Sequence, residues 1–250
     1  MTARRRLDVE LVRRELTTSR GEAQALIADH RVLVNGSIAE KPSRQVAAAD
    51  AVIVEGPPPR FVGRGGEKLD HAMDAFALDV GGLRALDAGA STGGFTDCLL
   101  QRGAVEVVAL DVGHGQLHER LRGDPRVVNL ERHNVRHVAP DVIGGDVDVV
   151  VGDLSFISLG LVIPALVGVC QPGATMVLLV KPQFEAGRQE VGRGRGVITD
   201  PTIHERVRCE VELALVEAGC VVHGWTESPI TGADGNREFL VHATAPGGPT

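Results

Sequence analysis

Apolar residues recur at helical spacing near the start of the chain, at Leu7, Leu11, Val12 and Leu16, and predict a helix over 7–19. Ser19 opens Ser-Arg-Gly-Glu, the pattern of a capping box with Glu22, and predicts a second helix that turns Ala23, Leu26 and Ile27 inward. Val32–Val34 runs into Asn35-Gly36, the dipeptide favoured where both central residues of a hairpin turn take positive φ, and Ile38-Ala39 can return. Val52–Val54 predicts one more strand, so two helices and a small sheet end near Glu55. Gly56 and three prolines follow; prolines extend neither a helix nor a ladder, and they make a stiff connector. The expected division is a small α+β unit over 1–56, a Pro-rich linker over 57–62 and a larger unit over 63–246.

From Leu83 onward the pattern changes to short apolar runs alternating with amphipathic stretches. Leu83–Ala88, Val105–Leu110, Val127–Leu130, Val147–Val151 and Thr175–Val180 read as strands, and Gly94–Gln101 as a helix. Asp200-Pro201 makes an N-cap and first-turn pair; Ile203, Val207, Val211, Ala214 and Leu215 then line one helix face that Gly219 closes. Such alternation predicts an α/β domain with a mainly parallel sheet and helices on both faces.

Composition adds limits. Tyrosine is absent and tryptophan occurs once, so the cores rest on Val, Leu, Ile and Ala. The weakly polar run from Leu159 to Cys170 is far short of the ~20 residues of a spanning helix, and no apolar stretch follows the basic start. Cys98, Cys170, Cys209 and Cys220 form no C-x-x-C pair and are expected to be free thiols in the cytoplasm. The net charge is −7, but residues 1–60 carry ten Lys and Arg against eight Asp and Glu, and the remainder sixteen against twenty-five. A nucleic-acid partner would therefore meet the N-terminal part first.

The stretch from Leu86 to Asp97 follows the first strand of the alternating region and opens a helix. Gly89, Gly93 and Gly94 let the backbone turn sharply and approach a ligand. The spacing is neither G-x-G-x-x-G nor a P-loop. Asp87 ahead of the loop disfavours a phosphate and suits an ammonium group; Asp111, at the end of the next strand, is placed to accept ribose hydroxyls. An adenosine carrying an amino acid satisfies both, whereas a turn that merely joins strand to helix needs neither carboxylate. His114 and His118 nearby are expected to lie on an exposed short helix, and no metal site is expected.

Two further strands run into charged residues, Asp153 in Gly-Asp-Leu-Ser-Phe and Lys181 in Val-Lys-Pro-Gln-Phe-Glu, beside the same crevice. A lysine there is costly to bury unpaired, and Asp153 is its natural partner. Lys68 and Glu238 can converge on them, although taken alone these two are better explained as structural salt bridges or solvated surface charges. Two lysines and two carboxylates in one pocket can let a lysine orient a hydroxyl, or take its proton, as it attacks an electrophilic methyl.

Asp87-Ala-Gly-Ala-Ser-Thr-Gly-Gly-Phe-Thr-Asp97, Gly152-Asp-Leu-Ser-Phe-Ile-Ser158, Val180-Lys-Pro-Gln-Phe-Glu185 and Gly235-Asn-Arg-Glu-Phe239 together resemble the motifs of the TlyA (hemolysin A) family, in order and over nearly the whole chain. The resemblance implies an S4-like RNA-binding domain followed by an FtsJ-like, Rossmann-like class I methyltransferase domain with a seven-stranded sheet. It implies S-adenosylmethionine as cofactor, held by Asp87, Gly89, Ser91, Gly93, Gly94, Phe95, Thr96 and Asp111, with Asn134 on the adenine side. It implies ribosomal RNA (16S, 23S or both) as substrate, methylated at a cytidine ribose 2′-hydroxyl. Lys68, Asp153, Lys181 and Glu238 match the family's Lys-Asp-Lys-Glu tetrad, in which Lys181 would activate the hydroxyl. Phe61, in the linker, stands where some members carry tryptophan.

Two regions are expected to face RNA. One gathers Arg4, Arg5, Arg6, Arg13, Arg14, Arg20, Arg31 and Arg44 around the small unit, with Arg60 in the linker; the other is the glycine-rich stretch holding Arg188, Arg193 and Arg195. For any single arginine a solvated helix face is explanation enough; the regions as wholes point to RNA. Two rival readings are a membrane-lytic protein, which the absence of a basic amphipathic helix with large apolar residues disfavours, and a methyltransferase acting on a small molecule.

Overall fold

The computed structural model describes residues 4–17, 20–56, 59–187, 196–232 and 235–247. The expected capping box at Ser19, the first two linker prolines, and Arg188, Arg193 and Arg195 lie outside them. Contacts divide the chain into two compact units, Met1–Arg64 and Gly65–Thr250.

The first unit comprises β1 (Arg5–Arg6), α1 (Leu7–Arg13), α2 (Arg20–Ala28), β2 (Val32–Val34), β3 (Ser37–Ile38), β4 (Gln45–Val46) and β5 (Val52–Val54). The order β3-β2-β5 forms a three-stranded antiparallel sheet, and β1 pairs with β4. Asn35 and Gly36 take φ of 53° and 78°, as the tight hairpin requires. Leu7, Leu11, Leu26 and Ile27 pack with Val32, Val34 and Val46 into one small core.

The first helix is shorter than its apolar spacing predicts. It stops at Arg13, Glu15 enters the left-handed region at φ 59°, and the chain closes with Glu15 N–H to Val12 O at 2.9 Å and Leu16 N–H to Leu11 O at 3.0 Å. This is a Schellman ending without its usual glycine, so the sequence hides it. Leu16 is left 38% exposed instead of continuing the inward stripe.

The second unit contains α3 (Gly65–Ala75), β6 (Arg84–Ala88), α4 (Gly94–Gln101), β7 (Glu106–Asp111), α5 (Glu119–Arg122), β8 (Val127–Glu131), α6 (Pro140–Ile143), β9 (Val147–Gly152), α7 (Ile163–Val167), β10 (Cys170–Val180), α8 (Pro182–Glu185), α9 (Pro201–Glu217), β11 (Val221–Glu227) and β12 (Phe239–Thr244). The seven strands follow the order β11-β12-β10-β9-β6-β7-β8. All pairings are parallel except those of β12, which runs antiparallel to both neighbours. The mainly parallel α/β sheet expected from the alternation is therefore present, with one reversed strand.

Both faces of the sheet are covered, which is why runs such as Val149–Val151 of β9 and Met176–Val180 of β10 are apolar at successive positions instead of alternating. On β10, Met176, Leu178 and Val180 join Val207, Val211 and Leu215 of α9 in one core, while Val177 and Leu179 are equally buried on the other face. Fully burying a side chain of this size contributes about 1.5–3 kcal/mol. Asp200 caps α9 as expected, accepting from Thr202 N–H at 2.9 Å. The order reverses between β6 and β9, whose chains leave in opposite directions along the sheet, and this opens a crevice beyond their carboxyl ends.

Candidate active site

The crevice forms a cleft of about 420 Å³, within the range of small-molecule sites. Its floor is the loop after β6. Ser91 takes a left-handed φ of 49° there and donates its N–H to Asp111 Oδ2 at 2.8 Å, while Gly113 N–H donates to Oδ1 at 2.6 Å. These bonds fix the Asp111 carboxylate at the end of β7 on the cleft wall. Gly89 has φ 87°, and a Cβ on it would come 2.7 Å from the carbonyl oxygen of Asp153. Only glycine lets the loops after β6 and β9 close together at that point.

The expected cofactor residues separate by position. Gly89, Ser91, Asp111 and Asn134 line the cleft. Asn134 also caps the turn Val135–His137 by accepting from Arg136 N–H at 3.0 Å. Asp87, Phe95 and Thr96 are buried behind the loop. Gly93 caps α4 at φ 97°, and a Cβ there would run into Leu117 and Leu121, so its lack of a side chain serves packing. Gly94 opens α4 and is buried. The cleft also takes in Val112, Gln116, His133, Arg136, Leu154 and Phe156, which the motif reading did not single out.

Asp87 is enclosed. Its Oδ2 accepts from Thr96 Oγ1 at 2.7 Å, while Oδ1 has no hydrogen-bond partner among the described residues. Burial pushes its pKa up to about 7; the Thr96 hydroxyl opposes the rise, and nearby Asp153 and Asp111 add to it. The set fits S-adenosylmethionine: a fixed carboxylate at the strand end for ribose hydroxyls, a side-chain-free bend at Gly89, apolar walls from Leu110, Val112 and Leu154, and an unsatisfied buried carboxylate oxygen near the loop.

Four charged side chains gather at the strand ends and on α3. Lys181, just beyond β10 and 8% exposed, pairs with the Asp153 carboxylate and donates to Ser155 Oγ at 2.9 Å. Lys68, on α3 and also 8% exposed, bonds Glu238 Oε2 at 2.6 Å. The register Val180↔Phe239 sets Lys181 at the end of β10 opposite Glu238 at the start of β12. A Cβ on Gly65, at the head of α3, would lie 3.7 Å from Asp153 Oδ2, so the first turn of α3 abuts the Asp153 side of the cluster. A helix over 65–75 was not anticipated, because Leu69, Ala72 and Met73 are a thin stripe among polar residues.

Phe156 stands beside this cluster, 90% exposed and at φ 63°. Bulky residues rarely hold positive φ, and an aromatic ring so open to solvent gains little from its own burial. Phe184 supports one side of it, with ring centroids 4.9 Å apart.

In the first unit, buried carboxylates organise the expected RNA-facing arginines. Asp8, fully buried, accepts from Arg6 twice and from Arg20, all at 3.0 Å. Glu10 accepts from Arg13 at 2.8 and 2.6 Å and from Arg14 at 2.9 Å. Arg6, Arg13 and Arg20 remain about half exposed beyond these anchors, and Arg5 lies 4.0 Å from Glu10. Arg14, counted among the expected RNA-facing arginines, is instead largely held within the unit, bonding the carbonyls of Ala47, Ala48 and Asp50. Arg31 bonds Glu55 O at 2.8 Å, Arg44 reaches Ile38 O at 3.4 Å, Arg4 is exposed, and Arg60 lies over the Phe61 ring at 4.7 Å.

Comparison with known proteins agrees with this geometry. Residues 61–245 match the FtsJ-like methyltransferase family and residues 5–52 the S4 domain. The chain is 50% identical, over 96% of its length and 90% of the relative's, to the 16S/23S rRNA (cytidine-2′-O)-methyltransferase TlyA of Mycobacterium tuberculosis. It is 38% identical to Hemolysin A of Brachyspira hyodysenteriae, over 95% and 98% of the two chains. A hemolysin-type protein of Streptococcus thermophilus, 39% identical, superposes with a TM-score of 0.78 over 100% of this chain and 91% of its own. With an S4 domain, a seven-stranded methyltransferase sheet and a cleft at its switch point, the chain belongs to the TlyA family of FtsJ-like methyltransferases.

Proposed function

We propose that the protein methylates the 2′-hydroxyl of a cytidine ribose in ribosomal RNA, and that Lys68, Asp153, Lys181 and Glu238 carry the transfer. The observation that carries this reading is the Lys181–Asp153 pair at the mouth of the cofactor cleft, backed by Lys68 and Glu238. The bound cofactor supplies an electrophilic methyl group on a sulfonium sulfur. Asp111 holds the ribose hydroxyls of its nucleoside, Asn134 faces its adenine, and Asp87 answers its ammonium group. Lys181, steered by Asp153 and Ser155, orients the attacking hydroxyl and, in its neutral form, receives the hydroxyl's proton as the oxygen–carbon bond forms and the methyl's bond to sulfur breaks. Glu238 fixes Lys68, and the pair sets the charge around that transfer. Phe156 offers an exposed ring on which a base lifted from its stack can lie. The S4 domain presents Arg6, Arg13 and Arg20 to phosphates, and a ribosomal RNA substrate supports a cytoplasmic location.

Labelled methyl transfer from S-adenosylmethionine to purified small and large ribosomal subunits tests the proposal, with Lys181→Ala as control. The expected product is label that survives base hydrolysis as a 2′-O-methylated dinucleotide, reduced at least 100-fold in the variant. Cofactor-competent protein that labels neither subunit nor the assembled ribosome would remove ribosomal RNA as substrate.

A further inference from the structure

The Lys-Pro-Gln-Phe-Glu motif ends in a carboxylate that the transfer itself does not use. Glu185 reaches from α8 to the segment after β9, where Oε2 accepts from the Ser158 hydroxyl at 2.6 Å and Oε1 from Leu159 N–H at 2.9 Å. Leu159 begins the 3-10 turn Leu159–Leu161, whose N-cap Ser158 makes no capping bond of its own. Glu185 therefore caps that turn from another element. Its partners among the described residues are a hydroxyl and an amide, and burial with Glu210 nearby raises its pKa. Holding a half-buried carboxylate with two neutral donors costs desolvation without a counter-charge, so its value lies in what those donors fix.

They fix the far end of the loop that holds the reactive cluster. The near end is set where Asp153 N–H donates to Ala88 O at 3.1 Å. Between the two anchors lie Ser155, which receives Lys181, and Phe156, held at positive φ with its ring in solvent. From the neighbouring position on the same turn, Phe184 meets the Phe156 ring.

We propose that Glu185 is a positioning residue for methyl transfer: by tying α8 to the Ser158–Leu159 turn it holds the loop over 153–159 in the one conformation that sets the Phe156 ring and Ser155 beside Lys181. The inference rests on the methyl-transfer reading for its kinetic consequence, but its structural consequence can be read without turnover.

Both are measured on the full chain. Protein labelled with 4-fluorophenylalanine gives a fluorine NMR resonance for Phe156, assigned with Phe156→Leu. In Glu185→Ala this resonance is expected to shift or broaden; in Glu185→Gln, which retains an acceptor, it stays near its original position. In transfer assays Glu185→Ala lowers kcat roughly 10- to 100-fold while cofactor Kd and the KM for RNA stay within about twofold, and Glu185→Gln recovers most of kcat. An unchanged Phe156 resonance in Glu185→Ala, or a kcat within about twofold of the parent, would overturn the proposal. If Glu185→Ala does not fold, Ser158→Ala decides, since losing one of the two donors must move the same resonance. If the parent chain methylates no ribosomal RNA, the substrate reading fails, and the resonance still decides the role of Glu185.

Discussion

Under the proposed function, Asp87 would couple cofactor binding to acidity. Its folded pKa of about 7 lies above the ordinary carboxylate value, so the folded chain holds a proton that the unfolded chain releases. Stability from this group is present at low pH and is lost as pH rises from about 4 to about 7. Asp87→Asn should lack that component, which paired thermal melts across the window would reveal as a flatter dependence than the parent's. An ammonium ligand reverses the preference, because it pairs with the ionised form. Cofactor affinity should therefore rise with pH up to about 7 and level off, and calorimetry on Asp87→Asn should find weaker binding without that rise. Equal slopes for parent and variant would separate Asp87 from the ammonium group. Within the glycine loop, the sequence showed that the backbone must turn but not which glycine meets a ligand. Gly89 faces the cleft, whereas Gly93 faces Leu117 and Leu121, and the latter contact comes from residues 24 and 28 positions further on.

Among elements, the ending of α1 carries a specific cost. Glu15 holds a left-handed conformation that glycine adopts freely, so Glu15→Gly should stabilise the first unit by about 0.5–1 kcal/mol. That unit contains neither tryptophan nor tyrosine, so hydrogen exchange is the suitable probe. Amides of residues 7–16 should exchange roughly two- to fivefold more slowly in the variant; unchanged rates would mean that the strain is relieved elsewhere. The buried strands were legible because the central sheet is covered on both faces and leaves continuous apolar runs. Other elements were not. The β11 strand, Val-Val-His-Gly-Trp-Thr-Glu, sits at the sheet edge with no fully buried residue, and β1 and β4 are two residues each, too short for any period to register.

For the whole molecule, charge is segregated along the chain, and RNA affinity should depend on salt through the basic end. Arg13 and Arg20 are each anchored on a buried carboxylate while half exposed, so under the proposed function they would meet phosphates with little further ordering. Replacing both with alanine should reduce the slope of log affinity against log salt by roughly one unit for each lost phosphate contact, with cofactor affinity unchanged. Filter-binding titrations on ribosomal subunits across a salt series would measure this, and an unaltered slope would place the RNA contacts elsewhere. The Lys181–Asp153 pair was legible from two strand ends, but Lys68 with Glu238 was not: it is a contact across 170 positions, between α3 and the residue ahead of β12, and is invisible to local pattern.

That distance has a consequence for how the enzyme comes into being. The β12 strand is made last, yet it lies inside the sheet, between β10 and β11. While the chain is still being synthesised, β10 has no neighbour on that side and Lys68 has no carboxylate to meet. Closing the sheet and completing the charge cluster are then a single event, and it cannot occur until β12 has left the tunnel of the ribosome that makes it. A chain cut short before Glu238 would keep its cofactor loop and its arginines but never acquire the finished charge cluster.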